Sequence, residues 1–403
     1  MLKKIFFYFL TVVLSLFVFL VFAEIIFRLV RGAPASLEDI TQKQSNYLFA
    51  PNDVKHKKST VEGEFEFTAH INSFGYRGKN FSFEKQPGVV RIFAVGDSFV
   101  YGVGANDEDT IPYLIERQLQ SSNLAVEVIN AGVGHASPVQ HLVNIRDMHL
   151  KYKPDLVLFF LDLTDLWDDW HYERIAVHDQ NGNITGFNPA YRNGKRDWWI
   201  TACYYSAFAK YMNDKVVRTF KKISLLGWKT YFKAVLEGKR AKALIVNLDS
   251  QKVRESKIEY DGLLFLRGRE EKELIDEHWQ RTARYIKKIK VLLDEQNIPM
   301  VLVMYPHGIY VGKDQWHKGR ATWGFKQDYL YTDYYPFELG EQFAKENNMG
   351  FINVLPTFTQ NSSTKYFYDW DGHMTPAGNK VVAQTVASNN AFLKWIQVLI
   401  QKN

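Results

Sequence analysis

From residue 89 onward the sequence alternates short apolar runs with amphipathic stretches, and that alternation restricts the fold more than any other feature. Residues 89–95 (VVRIFAV) run apolar up to Gly96, the pattern of a strand buried on both faces. Residues 126–129, 156–161 (behind Lys153-Pro154), 298–304 and 351–354 read the same way. Helical patterns lie between them. Ile111, Leu114, Ile115 and Leu119 share one face, 138–150 follows the second strand, and 268–295 carries Ile275, Trp279, Ala283, Ile286 and Leu293 on one stripe. Residues 376–388 close the series as a helix, with Thr375 as N-cap and Pro376 at the first position. Strands alternating with helices predict an α/β fold on a doubly wound parallel sheet, with helices on both faces. Ligands of such sheets sit at the carboxyl ends of the strands, near the topological switch point.

Chemistry is therefore expected just after the strands. The first strand runs into Gly96-Asp97-Ser98-Phe99-Val100-Tyr101-Gly102. A serine on a tight turn between strand and helix is presented outward, with helical amides aimed at what it attacks. Before the last helix stands Asp369-Trp370-Asp371-Gly372-His373-Met374-Thr375-Pro376-Ala377-Gly378. A histidine there can take the serine's proton, and a nearby carboxylate, Asp371 or its competitor Asp369, can fix its tautomer. Each piece alone occurs by chance; the chain order and fold context give the pair its meaning.

At these residues the chain resembles the SGNH/GDSL hydrolase family, in particular its bacterial membrane-anchored branch, over residues 89–165 and 298–388. Asn72-Ser73-Phe74-Gly75-Tyr76-Arg77 is similar to a segment that precedes the first strand in that branch, and Asn130-Ala131-Gly132-Val133-Gly134 to the second block. The resemblance implies a flavodoxin-like three-layer fold. It also implies Ser98 as nucleophile, His373 as general base, Asp371 as its orienting partner and the Ser98 amide as one oxyanion donor. The reaction implied is acyl transfer through an acyl-enzyme: esterase if water accepts the group, O-acyltransferase if a hydroxyl of an exported polysaccharide does. No cofactor is implied.

Two positions depart from the family pattern. The second-block glycine falls near Gly134 or His135, with His135 the preferred register, where a Cβ resists positive φ. The third block has Thr164 in place of its asparagine, ahead of Asp165, and a threonine hydroxyl is a shorter donor that can equally accept. These departures favour the non-enzymatic alternative, a degenerate SGNH-like domain that binds envelope glycan.

Other residues have readings of their own. Asp165, Asp168, Asp169 and His171 form an acid-rich patch that suits an active-site rim, ordinary surface or, less readily, a metal. His307, after the fourth strand, is a substrate contact or a capped loop histidine. Arg77 holds an anionic group or pairs with a carboxylate.

The N-terminus determines the expected location. Residues 5–23 are uncharged, enough to cross a hydrocarbon core as helix, and follow Lys3 and Lys4. An uncleaved signal-anchor is expected over 1–31, with a cleaved signal peptide ending near Ala23 as the rival. The rest would lie outside the cytoplasmic membrane: 32–88 as linker and lead-in, then an SGNH-type domain over 89–400 interrupted by a mainly helical insertion at 186–265. Fifty basic against 44 acidic residues give +6, too mild to imply nucleic acid. Thirteen Lys/Arg against three Asp/Glu nonetheless fall between Arg192 and Lys242, interleaved with aromatics such as Trp198, Tyr205, Phe220 and Trp228. That mixture suits a membrane interface or an acidic glycan. Cys203 is the one cysteine, which excludes an intramolecular disulfide framework and a cysteine zinc site. The expected partners are a membrane and an acylated small molecule or envelope glycan.

Overall fold

The computed structural model describes residues 2–33, 48–238, 262–360 and 364–402. The chain divides into two compact units, Met1–Asn46 with Arg174–Tyr231, and Tyr47–Glu173 with Phe232–Asn403.

The second unit holds the α/β fold. Its strands β1 (Val54–Lys58) and β2 (Glu66–His70) form an antiparallel pair. β3 (Val90–Gly96), β4 (Val126–Gly132), β5 (Leu156–Leu161), β10 (Met300–Met304) and β11 (Gly350–Asn353) form one parallel sheet in the order β11-β10-β5-β3-β4. Counted along the sheet chain this is 2-1-3-4-5, the flavodoxin-like doubly wound order, whose switch point lies between β3 and β5. Every residue of β3, β5 and β10 is buried, as expected of a parallel sheet covered on both faces. Each large apolar side chain so enclosed contributes on the order of 1.5–3 kcal/mol.

The helices Ile111–Ser121, Pro138–Asn144, Lys272–Asp294 and Pro376–Ala387 answer the sequence periodicities. Three details differ. The second pattern, 138–150, leaves the α geometry at Asn144 for a π turn over Ile145–His149. The long charged helix begins at Lys272 rather than 268, because Gly268 stands at φ 66°. The chain closes on a further helix, Asn390–Lys402, rather than at 388.

The lead-in segment is more than a linker. Phe67, Ala69 and Ile71 bury against Tyr101, and β1 and β2 lie within the stretch expected as connection. Of that stretch, residues 34–47 lie outside the described residues, as do 239–261 of the insertion.

The first unit contains the helix Leu2–Arg31, of which Lys3–Arg31 is long and apolar enough to cross a membrane. It also contains two small antiparallel hairpins, β6 (Ala176–His178) with β7 (Ile184–Phe187) and β8 (Tyr191–Arg192) with β9 (Lys195–Arg196). The helices Trp198–Tyr205, Ala207–Tyr211 and Arg218–Leu226 follow. The interruption thus starts near Arg174, earlier than 186, and opens with strands before turning helical.

Candidate active site

Ser98 begins a one-turn helix, Ser98–Tyr101, at the carboxyl end of β3 and so at the switch point. Asp97 caps that turn by accepting from the Phe99 amide at 2.9 Å. The helix comes this close to β4 because Gly132 has no side chain: a Cβ there would meet Tyr101 N at 2.1 Å. Arg77 fixes the loop that follows. Its guanidinium donates to Tyr101 O and Gly102 O at 2.8 Å, to Ala105 O at 2.6 Å and to the Asp107 carboxylate at 2.8 Å. Arg77 is fully buried and spent on these partners, so it braces the loop and offers nothing to an anionic ligand.

His373 brings its Nε2 to 2.8 Å from Ser98 Oγ, across 275 residues of sequence. Its Nδ1 is hydrogen bonded to Asp371 Oδ1. Asp369 does not compete, since its carboxylate is held by Lys365 at 2.8 Å. The loop that carries Asp371 is clamped from the β1–β2 hairpin, where Glu64 Oε1 accepts from the Trp370 amide at 2.6 Å and the Asp371 amide at 3.2 Å. Tyr368 adds a bond to Gly104 O at 2.6 Å. Sequence reasoning missed Glu64 because nothing in a hairpin-tip glutamate marks a partner some 300 residues away. Glu64→Ala is expected to lower ester turnover about tenfold while Glu64→Gln, which keeps an acceptor oxygen, stays near wild type; equal rates in all three would show that the clamp has no bearing on the site.

Behind Ser98 lies a buried acidic network. Asp97 accepts from Tyr305 Oη at 2.9 Å, and burial and the charge of Asp162 push its carboxyl up to about 6 against the pull of the Phe99 amide. Asp162 is equally buried, but the charge and hydrogen bond of His307 Nε2, at 2.6 Å, hold it below the ordinary carboxylate range. Asp165 accepts from the Asp162 amide at 3.1 Å, and burial together with the neighbouring carboxylates pushes it well above its usual value. Burial opposes the charged form of His373 as well. The hydrogen bond and charge of Asp371, with the charges of Asp97 and Asp162, outweigh that and raise His373 above its usual value.

Three sequence expectations change here. Thr164 points its hydroxyl at Asp162 Oδ2, so its proton is already donated and is not offered to a ligand. Asp165 is 1% exposed and Asp169 0%; they are core carboxyls of the helix Asp165–Ile175 rather than a solvated rim. Asp169 accepts from Thr282 Oγ1 at 2.6 Å and the Val139 amide at 2.8 Å, and burial lifts it to about 7. His307 is buried on Asp162, with Phe99 edge-on to it at 5.3 Å. Thr164→Val is expected to cost about 1.5–3 kcal/mol of stability in urea unfolding, the range for a hydrogen bond to a charged group. Its kcat should fall by well under the ~10² typical of a lost oxyanion donor.

His135 takes a left-handed backbone, φ 62°, where a glycine is the residue of least strain. Gly134 keeps ordinary φ. Desolvation and the neighbouring His373 hold the His135 imidazole below its usual value. Among the described residues, the amides of Ser98, Gly134 and His135 donate to no protein acceptor, which leaves them available to a developing negative charge. No group of described His, Cys, Asp or Glu could hold a metal ion, so the acid-rich patch 165–171 gives no support to a metal there.

Residues 260–399 match the family model of the SGNH hydrolase-like domain of the acetyltransferase AlgX. The carboxyl-terminal part of the α/β unit thus resembles an SGNH hydrolase-like domain. The match spans β10, β11, Asp371 and His373, while Ser98 lies upstream of it. Among solved structures, the chain is similar to an acetyl xylan esterase, AlAXEase, at 14% identity and TM-score 0.35 over 73% of this chain and 97% of that one. It is similar to the acetylxylan esterase Axe2 of Geobacillus stearothermophilus at 13% identity and TM-score 0.37, covering 76% and 94%. A GDSL-family lipolytic protein of Desulfitobacterium hafniense DCB-2 gives 11% identity and TM-score 0.31, covering 74% and 98%. No curated protein sequence matches the chain.

Proposed function

We propose that the SGNH unit is a serine esterase acting on O-acyl groups, anchored by residues 1–31 with the unit on the outer side of the cytoplasmic membrane. The hydrogen-bonded line Ser98–His373–Asp371 at the switch point carries this reading. His373 Nε2 takes the proton of Ser98 Oγ as Oγ bonds to the acyl carbon. The carbonyl oxygen gains negative charge and is received by the Ser98 amide with that of Gly134 or His135. The carbon–oxygen bond to the leaving alcohol then breaks, and His373 returns the proton to that alcohol. Water, giving its proton to His373, next attacks the acyl carbon; the bond from that carbon to Ser98 Oγ breaks, His373 returns the proton to Oγ, and the acid leaves. Asp371 holds the imidazole tautomer and its charge throughout.

The second reading replaces water by a hydroxyl of an exported polysaccharide and makes the protein an O-acyltransferase. The resemblance of residues 260–399 to an acetyltransferase domain favours it. A serine-directed fluorophosphonate tests the shared core of both readings. It is expected to add its mass less HF to Ser98, as fluoride leaves, and to leave Ser98→Ala unlabelled; labelling elsewhere, or none in a folded protein, would overturn the acyl-enzyme. An acetyl donor supplied with and without an oligosaccharide then separates hydrolysis from transfer.

A further inference from the structure

We propose that the helical segment from Trp198 to Tyr231 is a foot that lies in the headgroup layer of the bilayer and binds an anionic phospholipid surface. This rests on reading the helix Leu2–Arg31 as a membrane span. At ~1.5 Å per residue the uncharged stretch 5–23 is about as long as a hydrocarbon core is thick. The turns from Glu24 to Arg31 then project into the headgroup zone.

The foot is attached at that level. Glu24 accepts from Ser206 Oγ at 2.6 Å and from the Ala207 and Phe208 amides at 3.0 Å, capping the helix Ala207–Tyr211. Arg28 Nη2 donates to Tyr205 O at 2.7 Å, the last carbonyl of the preceding helix. Phe27 packs on Phe208 and Tyr211 with ring centroids 5.6 and 4.8 Å apart. Ion and helix end thus satisfy one another where water is scarce.

What the segment turns outward suits an interface. Trp198 is 77% exposed, Tyr205 54%, Phe220 67% and Trp228 62%, large side chains that a water-facing surface rarely shows together. On the helix Arg218–Leu226 and its lead-in, Val217, Phe220 and Ile223 share one face, while Lys215, Arg218 and Lys221 lie exposed to its side. Residues 192–231 carry nine Lys/Arg against two Asp. Both aspartates are engaged locally, Asp197 by the Ile200 amide and Asp214 by Lys210 and Arg218. Aromatics for the acyl boundary, cations for lipid phosphate and direct attachment to the end of a membrane span favour a lipid surface over a glycan.

The test uses the full chain in vesicles with about a third phosphatidylglycerol, spin-labelled singly at Phe220→Cys, Trp228→Cys, Asn181→Cys or Leu14→Cys; native Cys203 is buried and stays. The ratio of oxygen to nickel-chelate collisions is expected to be several-fold higher at positions 220 and 228 than at 181. It should drop towards the aqueous value in pure phosphatidylcholine. It should drop likewise with Lys215→Glu and Lys221→Glu combined, since each cation near an anionic surface shifts the partition roughly fivefold. Aqueous ratios at 220 and 228 with a membrane ratio at 14 would overturn the foot and leave the anchor. An aqueous ratio at 14 would overturn both. Shielding of 220 by a soluble polyuronate, with aqueous ratios in vesicles, would overturn the lipid in favour of an acidic glycan.

Discussion

Ser98→Ala and His373→Ala are each expected to lower kcat on p-nitrophenyl acetate by about 10⁵–10⁶, and the double variant by no more than either alone. The reason is geometric: Oγ and Nε2 share one proton across 2.8 Å, so removing either member disables the same step, and such effects do not add. A residual rate above buffer should survive, because the backbone amides proposed to receive the oxyanion remain in these variants. The measurement is turnover by wild type and the three variants at pH 8, each checked for a native circular dichroism spectrum. Unequal losses in the single variants, or a double variant much slower than both, would mean that the two side chains act in separate steps.

Asp371→Asn should be the next most damaging change, with kcat down on the order of 10⁴, since an amide can hold the imidazole in the wrong tautomer. Its pH profile is the more telling measurement. In wild type the base must be neutral, and His373 sits above its usual value, so activity should rise through an acid limb above ~6.5. Replacing Asp371 removes the strongest contributors to that elevation, and burial, which favours the neutral ring, then dominates. The limb should therefore move to lower pH even as the rate collapses. A limb that stays in place would assign it to another group, and Asp97, lifted to about 6 beside the serine, is the first to examine.

Much of this molecule was legible in its text. The runs 156–161 and 298–304, and 89–95 apart from the buried Arg91, are apolar without alternation because their strands are covered on both faces, and β3, β5 and β10 are buried throughout. Ser98 was legible because a strand ending in Gly-Asp-Ser before a helix states its own position, and Asp371 and His373 because they lie two residues apart. Other elements were not. Arg77 and Glu64 belong to a stretch whose mixed polar composition reads as linker; the carboxylate pairing of Arg77 was one of its two readings and is met by Asp107, but neither its bracing of the loop after Ser98 nor the clamping of the Asp371 loop by Glu64 was legible. Asp165 and Asp169 read as a solvated rim or ordinary surface because carboxylates rarely go inside; here hydrogen bonds and raised pKa values let them.

By itself the sequence determined the elements of the central sheet, their parallel arrangement and the chemical types at the strand ends, because periodicity and turn chemistry are local properties. The tertiary structure alone decided which donors remain available. It spent Thr164 on Asp162 and His307 on the same carboxylate, chose Asp371 over Asp369, and placed the left-handed backbone at His135. His307 reaches Asp162 across 145 residues and His373 reaches Ser98 across 275; such bonds depend on where the sheet order brings the partners, and even the choice between near neighbours depends on which of them the surrounding fold turns towards the site.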